Sequence, residues 1–189
     1  MARVYLIRHG RPASSWGGAD DDPGLDSAGC AQAEAAAQAL LALPPEQRPT
    51  RVVSSPLRRC RESAAPLARA LGVEVEIDPA VGEVPTPRNL DHAVRSEWLQ
   101  KAFGGRWSDV EGDLDYESWR RAVARAVGAR GGSAVFSHYV AINAVVSLLT
   151  GDDRVVTFRP DHCSMTVLEA GQGGLSLVQR GPEAATGVL

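Results

Sequence analysis

The sequence predicts an α/β fold, a three-layer α/β/α sandwich whose central sheet is mostly parallel and ends in a hairpin. Three observations predict it. Short β-branched, apolar runs alternate with segments that repeat apolar residues at helical spacing. Glycine and proline clusters punctuate the joints. The last two strand-like runs are separated only by Gly171-Gln172-Gly173-Gly174, a hairpin signal.

The elements follow in order. Val4-Tyr5-Leu6-Ile7 reads as a buried strand. A loop rich in Gly, Ser, Pro and Asp follows, and Asp26 is a helix N-cap before the alanine-rich run Ser27 to Leu43, which Pro44-Pro45 ends. Arg51 to Ser54 is a second strand, Leu57 to Leu71 a second helix, and Val73 to Ile77 a half-exposed strand of alternating apolar and acidic residues. Asp78 to Asp115 is the least regular stretch, with one helix around Leu90 to Ala102. Tyr116 to Gly128 is a helix, Ala134 to Ser137 a strand, and Val140 to Leu149 a helix closed by Gly151. Ser164 to Leu168 and Leu175 to Gln179 form the hairpin.

Residues 1–189 read as one domain, long enough to bury about 70% of the unfolded surface. The chain is 44% hydrophobic and 23% charged, as expected of a globular protein. No apolar run approaches the roughly 20 residues of a membrane span, and the N-terminus lacks a signal-peptide layout, so a cytoplasmic location is expected. A net charge of −3 argues against nucleic acid or an anionic membrane as partner. Lys101 is the only lysine, so a phosphate site here has to use arginine, histidine and backbone N–H groups. Three widely spaced cysteines suggest buried thiols in a reducing compartment, and the four histidines show no metal-ligand spacing.

Three predicted strands finish in reactive or basic residues: Arg8-His9, Ser54-Ser55 ahead of Arg58-Arg59, and Ser137-His138. Open α/β sheets bind ligands at that edge. An imidazole there can be a nucleophile, and a guanidinium beside it can hold a phosphoryl group in a planar fork.

These segments resemble the histidine phosphatase superfamily, also called the phosphoglycerate mutase-like or RHG family. Arg8-His9-Gly10 matches its signature triplet. Leu25-Asp26-Ser27-Ala28-Gly29 with Gln32-Ala33 is similar to its first helix entry. Ser54-Ser55-Pro56-Leu57-Arg58-Arg59-Cys60-Arg61-Glu62-Ser63-Ala64 is similar to its "S-S-P-L-x-R-A-x-x-T-A" segment. Val81-Gly82-Glu83 stands where the family has "L-x-E", and Val135-Phe136-Ser137-His138 matches "V-x-S-H". The resemblance runs from Val4 to about Leu168.

The resemblance implies a metal-independent phosphatase with no cofactor, acting on a soluble phosphomonoester through a phosphohistidine. It makes His9 the nucleophile and Glu83 the general acid. Arg8, Arg59, His138 and Ser15 become the phosphate ligands, His138 also counting with the catalytic set. Cations lower a histidine's pKa, so Arg8, Arg59 and His138 would keep His9 neutral. The family pattern selects Arg59 over Arg58, which would point elsewhere on the helix.

This chain also departs from the pattern. Val84-Pro85-Thr86-Pro87 replaces the usual "G-x-W-E-G", which makes Asp91, His92 and Asp20-Asp21-Asp22 substitutes for the acid. Ser15 stands in place of an asparagine, and Tyr139 replaces the glycine after the second histidine. Residues 84–112 are read as a substrate-specificity insertion. Trp16, Trp98, Phe103 and Trp107 are read as packing of that irregular region. The other reading lines a pocket with them and with Arg88, Arg95 and Arg106, for a second anionic group. His92 and His162 are left as surface or core residues, and the Asp20 run as a solvated loop.

Rival chemistries lack parts. His162-Cys163 is followed six residues on by Glu169 instead of the arginine of a cysteine phosphatase. Asp113-Leu114-Asp115 has no apolar strand before it. The alternatives left are a phosphoprotein phosphatase and a non-catalytic phosphate-binding regulatory module. The sequence leaves the oligomeric state and the physiological substrate open.

Overall fold

The computed structural model describes residues 2–14, 20–88, 90 and 92–185, without the side chains of 92 and 93. The described residues form one six-stranded sheet flanked by helices on both faces, the α/β/α arrangement predicted above. In chain order the elements are β1 (Ala2–Arg8), α1 (Ser27–Leu41), β2 (Arg51–Ser54), α2 (Arg58–Leu71), β3 (Val75–Ile77) and α3 (His92–Gly104). Then come α4 (Tyr116–Gly128), β4 (Ser133–Ser137), α5 (Tyr139–Thr150), β5 (Met165–Gly171) and β6 (Gly174–Gln179). Short 3-10 turns at Pro45–Gln47, Pro79–Val81 and Trp107–Asp109 were not expected from the sequence.

The sheet order is β3-β2-β4-β1-β5-β6. Its first four strands run parallel, and β5 and β6 run antiparallel as the hairpin. Side chains alternate across a strand, so Val4 and Leu6 go to one face and Tyr5 and Ile7 to the other. On the first face they meet Val53 and Val135, Val123 and Val127 of α4, and Ile142, Val145 and Val146 of α5. On the second, Tyr5 and Ile7 meet Val52, Phe136, Leu40 of α1, and Ala64 and Leu67 of α2. Burial on both faces is why β1 reads as a continuous apolar run instead of an alternating one.

The predicted edge strand Val73 to Ile77 is shorter than expected, because only Val75–Ile77 pair with β2. Val73 is 36% and Ile77 44% exposed, so this edge has little to bury.

The topology places the reactive strand ends side by side. In the parallel pair β1–β4, Arg8 stands opposite Ser137, and in β2–β4, Ser54 stands opposite Phe136. The ladder continues one step further: His9 N–H donates to Ser137 O at 3.0 Å, and Ser55 N–H to Phe136 O at 3.0 Å. After β1 the chain turns to α1 on one face, and after β4 to α5 on the other. The neighbouring strands β1 and β4 thus diverge at their C-terminal ends, the switch point where such sheets open a crevice.

The start of α1 is pressed against the loop leaving β1. The Asp26 carboxylate accepts from Gly29 N–H at 2.7 Å, the predicted cap. A Cβ on Gly10 would stand 2.7 Å from Gly29 O, and one on Gly29 would overlap Arg11 O. Helix propensity alone would favour alanine at Gly29 by about 1 kcal/mol. The obstacle is backbone, however, and cannot rotate away. We expect Gly29→Ala to be net destabilising, by about 1–3 kcal/mol, measured as a lower urea midpoint at unchanged slope.

Candidate active site

The crevice holds Arg8, His9, Arg59, Glu83 and His138. Arg8 ends β1, and His9 follows it, each 5% exposed. His9 Nδ1 lies 2.8 Å from Gly10 O. A carbonyl only accepts, so Nδ1 carries the proton and Nε2 keeps its lone pair. Arg59 Nε–H donates to that Nε2 at 3.3 Å. Arg59 comes from the first turn of α2. Helical rotation separates it from Arg58, whose side chain is 56% exposed and pairs with Glu62 at 2.7 Å.

His138 lies between β4 and α5 and is fully buried. Its Nε2 is 2.8 Å from Ser55 Oγ. Its Nδ1 faces Arg59 Nη2 at 3.3 Å and Glu83 Oε2 at 3.5 Å. One guanidinium thus bridges two imidazoles whose centroids lie 5.3 Å apart. Glu83 is delivered by the Pro79–Val81 turn, which Ser137 Oγ–H pins through Val81 O at 2.7 Å. Glu83 Oε1 accepts from Val84 N–H at 3.0 Å. Arg8 Nη1–H donates to Pro160 O at 2.9 Å. Its Nε is buried and has no hydrogen-bond partner among the described residues.

Burial sets the electrostatics. It is the largest cause holding His9 well below the usual imidazole value, with Arg59 and Arg8 adding to it and the Gly10 hydrogen bond opposing. Desolvation thus leads over the cations that the sequence suggests. His138 is lowered first by burial, then by His9, Arg59 and Arg8. Glu83 moves the opposite way: burial raises it, against Arg59, the Val84 N–H and Arg8. The site therefore holds two neutral imidazoles and a carboxyl that resists ionisation.

The remaining candidates separate. Ser15, Trp16 and Asp91 lie outside the described residues, as does the side chain of His92. Asp22, assigned to a solvated loop, accepts from Arg58 N–H at 2.7 Å and so serves the first turn of α2. Asp115 caps α4 through Ser118 N–H, and Asp113 accepts from Arg88 N–H, so neither is a free nucleophile. Trp107 is 2% exposed and packs with Val84, Leu99, Tyr139 and Ala144. Trp98 and Phe103 join the same cluster, which is the packing role read from the sequence. Among the described residues, no three His, Cys, Asp or Glu side chains form a cluster able to hold a metal ion. No described helix is long and apolar enough to cross a membrane.

His162, read from the sequence as a surface or core residue, is partly buried and packs its ring 5.9 Å from that of His9. Burial first, then Arg8, lowers it to about 4. Its only sequence signal was its place ahead of β5, which pairs antiparallel with β1 and so begins beside Arg8. Cys163, next to it, is pushed up to about 12 by burial, the reverse of a thiolate nucleophile. Three more residues carry contacts but no role in the sequence reading: Ser55 on His138 and Ser63 under Gly10, both inside quoted motifs, and Tyr139, noted only as a departure, whose ring lies 5.1 Å from the Arg8 guanidinium carbon.

Residues 4–181 match the family described as histidine phosphatase superfamily (branch 1). The chain belongs to that superfamily. A probable phosphoglycerate mutase of Escherichia fergusonii is 30% identical over 165 residues, covering 80% of this chain and 76% of that protein. Among solved structures, phosphoserine phosphatase of Entamoeba histolytica superposes with a TM-score of 0.75 at 20% identity, covering 96% of this chain and 98% of that one. Mycobacterial glucosyl-3-phosphoglycerate phosphatase gives 0.68 at 22% identity, covering 88% and 89%. These structures share the fold with this superfamily member.

The third residue of the triplet has a support that tests the construction of the site. Gly10 N–H donates to Ser63 Oγ at 2.8 Å, and that hydroxyl donates to Arg59 O at 2.7 Å. Ser63→Ala leaves a buried N–H unpaired. We expect it to lower unfolding free energy by about 1–3 kcal/mol in urea titrations.

Proposed function

We propose that this protein is a phosphatase that hydrolyses a soluble phosphomonoester through a phosphohistidine on His9. The observation that carries this reading is the placement of the His9 ring, with Nδ1 2.8 Å from Gly10 O and Nε2 accepting from Arg59 at 3.3 Å, which together favour the Nδ1–H tautomer. Nε2 attacks phosphorus, the N–P bond forms, and the bond to the ester oxygen breaks. The Glu83 carboxylic acid gives its proton to that leaving oxygen. The positive charge left on the His9 ring is stabilised through Nδ1–H on the Gly10 carbonyl. Water then attacks phosphorus, Glu83 carboxylate takes its proton, and phosphate leaves with His9 neutral again.

Arg8 and Arg59 hold the equatorial oxygens, with His138, and Ser15 completes the set of phosphate ligands. Spread charge on those oxygens is the main thing a phosphoryl-transfer site must stabilise. The unpartnered Arg8 Nε supports that assignment, because a buried guanidinium N–H is costly to leave unpaired. Residues 84–112 supply substrate specificity: Val84, Leu99 and Trp107 pack on Tyr139 and Val140 at the start of α5, next to His138. The likeness to the phosphoserine and glucosyl-3-phosphoglycerate phosphatases supports a small phosphorylated substrate. The mutase relative favours a second reading, in which the phosphoryl group passes to another hydroxyl.

Incubation with p-nitrophenyl phosphate and a panel of phosphometabolites tests the proposal. Release of inorganic phosphate is expected, and His9→Ala should lower it by more than about 10³-fold. Acid quenching would lose the phosphoenzyme and alkaline quenching preserve it. Isomerisation of 3-phosphoglycerate without phosphate release would favour the mutase reading. Glu83→Gln should slow poor leaving groups more than p-nitrophenol, and equal loss across the series would remove Glu83 as the acid.

The pKa shifts set a pH dependence. His9 must be neutral, and its value is held well below 6.5. Glu83 must be protonated for the first step, and its value is raised above 4.5. Activity on an alkyl phosphate is therefore expected to fall as pH rises and Glu83 ionises. In kcat profiles, Glu83→Gln should flatten that alkaline limb.

A further inference from the structure

The Arg8 guanidinium is held by parts of the chain remote in sequence. Arg8 Nη1–H donates to Pro160 O at 2.9 Å, across 152 residues. The turn carrying Pro160 is tied to the same strand end: Cys163 N–H donates to Arg8 O at 3.0 Å, and Arg8 N–H to Ser164 O at 3.3 Å. Cys163 has φ 56°, the positive-φ position among the described non-glycine residues. An L-residue in that region is strained unless its surroundings hold it there.

What holds the turn from outside is the tail after β6. Asp161 N–H donates to Pro182 O at 3.0 Å, and Ala184 N–H to Arg159 O at 2.9 Å. Pro160 and Glu183 form an antiparallel bridge, and Glu183 Oε2 accepts from Arg159 N–H at 3.0 Å. The course of the tail is fixed one residue earlier: Gly181 is buried, and a Cβ there would come within 2.8 Å of Met165 O. The match to the superfamily ends at residue 181, so this brace lies just beyond the shared pattern.

We propose that the tail segment 182–184 is a positioning element for phosphate binding, bracing the Pro160 turn so that its carbonyl orients the Arg8 guanidinium. This rests on the phosphatase reading only in taking Arg8 as a phosphate ligand. A carbonyl acceptor at Nη1 fixes one arm of the planar fork and leaves the rest in a set direction, so less orientation is lost when phosphate binds. Proline suits that acceptor position, because its ring fixes φ near −65° and stiffens the turn.

The test is the affinity for inorganic phosphate, read by calorimetry well below the melting temperature. The variants are Glu183→Ala, Glu183→Gln, a chain ending at Gly181, and each combined with Arg8→Lys. Glu183→Ala and the shortened chain should bind phosphate about 5–20-fold more weakly, as expected when one charge-assisted contact loses its orientation. Glu183→Gln, which keeps an acceptor for Arg159 N–H, should recover most of the affinity. In the Arg8→Lys background, the tail changes should have no further effect, as for sites acting through one another. If the shortened chain does not fold, the Glu183 pair decides. Equal affinity in wild type and Glu183→Ala, or equal losses with and without Arg8, would overturn the brace and leave the phosphatase reading standing. Failure of the wild type to bind phosphate at all would overturn both.

Discussion

The structure is organised around one buried cation shared between two neutral rings. The Arg59 guanidinium reaches His9 Nε2 and His138 Nδ1, both at 3.3 Å. A buried charge is tolerated only when it is paired and hydrogen-bonded. Here the partners are lone pairs, with Glu83 close by at His138. Such a contact needs three chain segments at one point, and the sheet order supplies them. Placing β4 between β2 and β1 brings Ser55, His138 and His9 to adjacent strand ends. The first turn of α2 then carries Arg59 over them, and the Pro79–Val81 turn brings in Glu83.

The same burial that makes the arrangement costly gives it chemical character. Desolvation lowers His9 and His138 and raises Glu83, so burial favours the neutral form of both rings and of the carboxyl. Two groups whose values are pushed in opposite directions fit the proposed roles of Glu83 as acid and His9 as nucleophile. The arginines deepen the effect on the histidines but work against it at Glu83. The carboxyl's value is raised because its burial outweighs its cationic neighbours.

Much of this was legible in the sequence, for identifiable reasons. Strands β1, β2 and β4 announced themselves because burial on both faces demands unbroken apolar runs. Asp26 read as a cap because its side chain satisfies a helix N–H. Arg59 could be told from Arg58 through the family pattern, and helical geometry puts the two on different sides. His162 was not legible, because its approach to His9 depends on antiparallel β5–β1 pairing across more than 150 residues. The Asp22 contact to α2 was hidden for the same reason: it joins a loop to a helix 36 positions away. The lead of burial over charge in setting His9 could not be read from residue types, since burial belongs to the packed fold.

The shared chemistry and the departures of this chain occupy different parts of the site. The triplet, Arg59 and His138 stand on strand ends and a helix start fixed by the sheet. Tyr139, residues of the 84–112 segment and the tail after Gly181, where the superfamily match ends, gather around Arg8 and the start of α5. Tyr139 lies against the Arg8 guanidinium on one side and against Phe103 of α3 on the other, with centroids 5.6 Å apart in the second pair. A phenol ring at that position therefore connects the irregular segment to a proposed phosphate ligand. Rigid elements can hold a reaction geometry while the pieces around them change, because loops tolerate replacement that packed strands do not. Arg8 belongs to both worlds: its backbone is fixed in β1, and its side chain is held by Pro160 and Tyr139. Of the five site residues, it is the one through which these surrounding parts can adjust the proposed phosphate binding without moving the proposed nucleophile, His9.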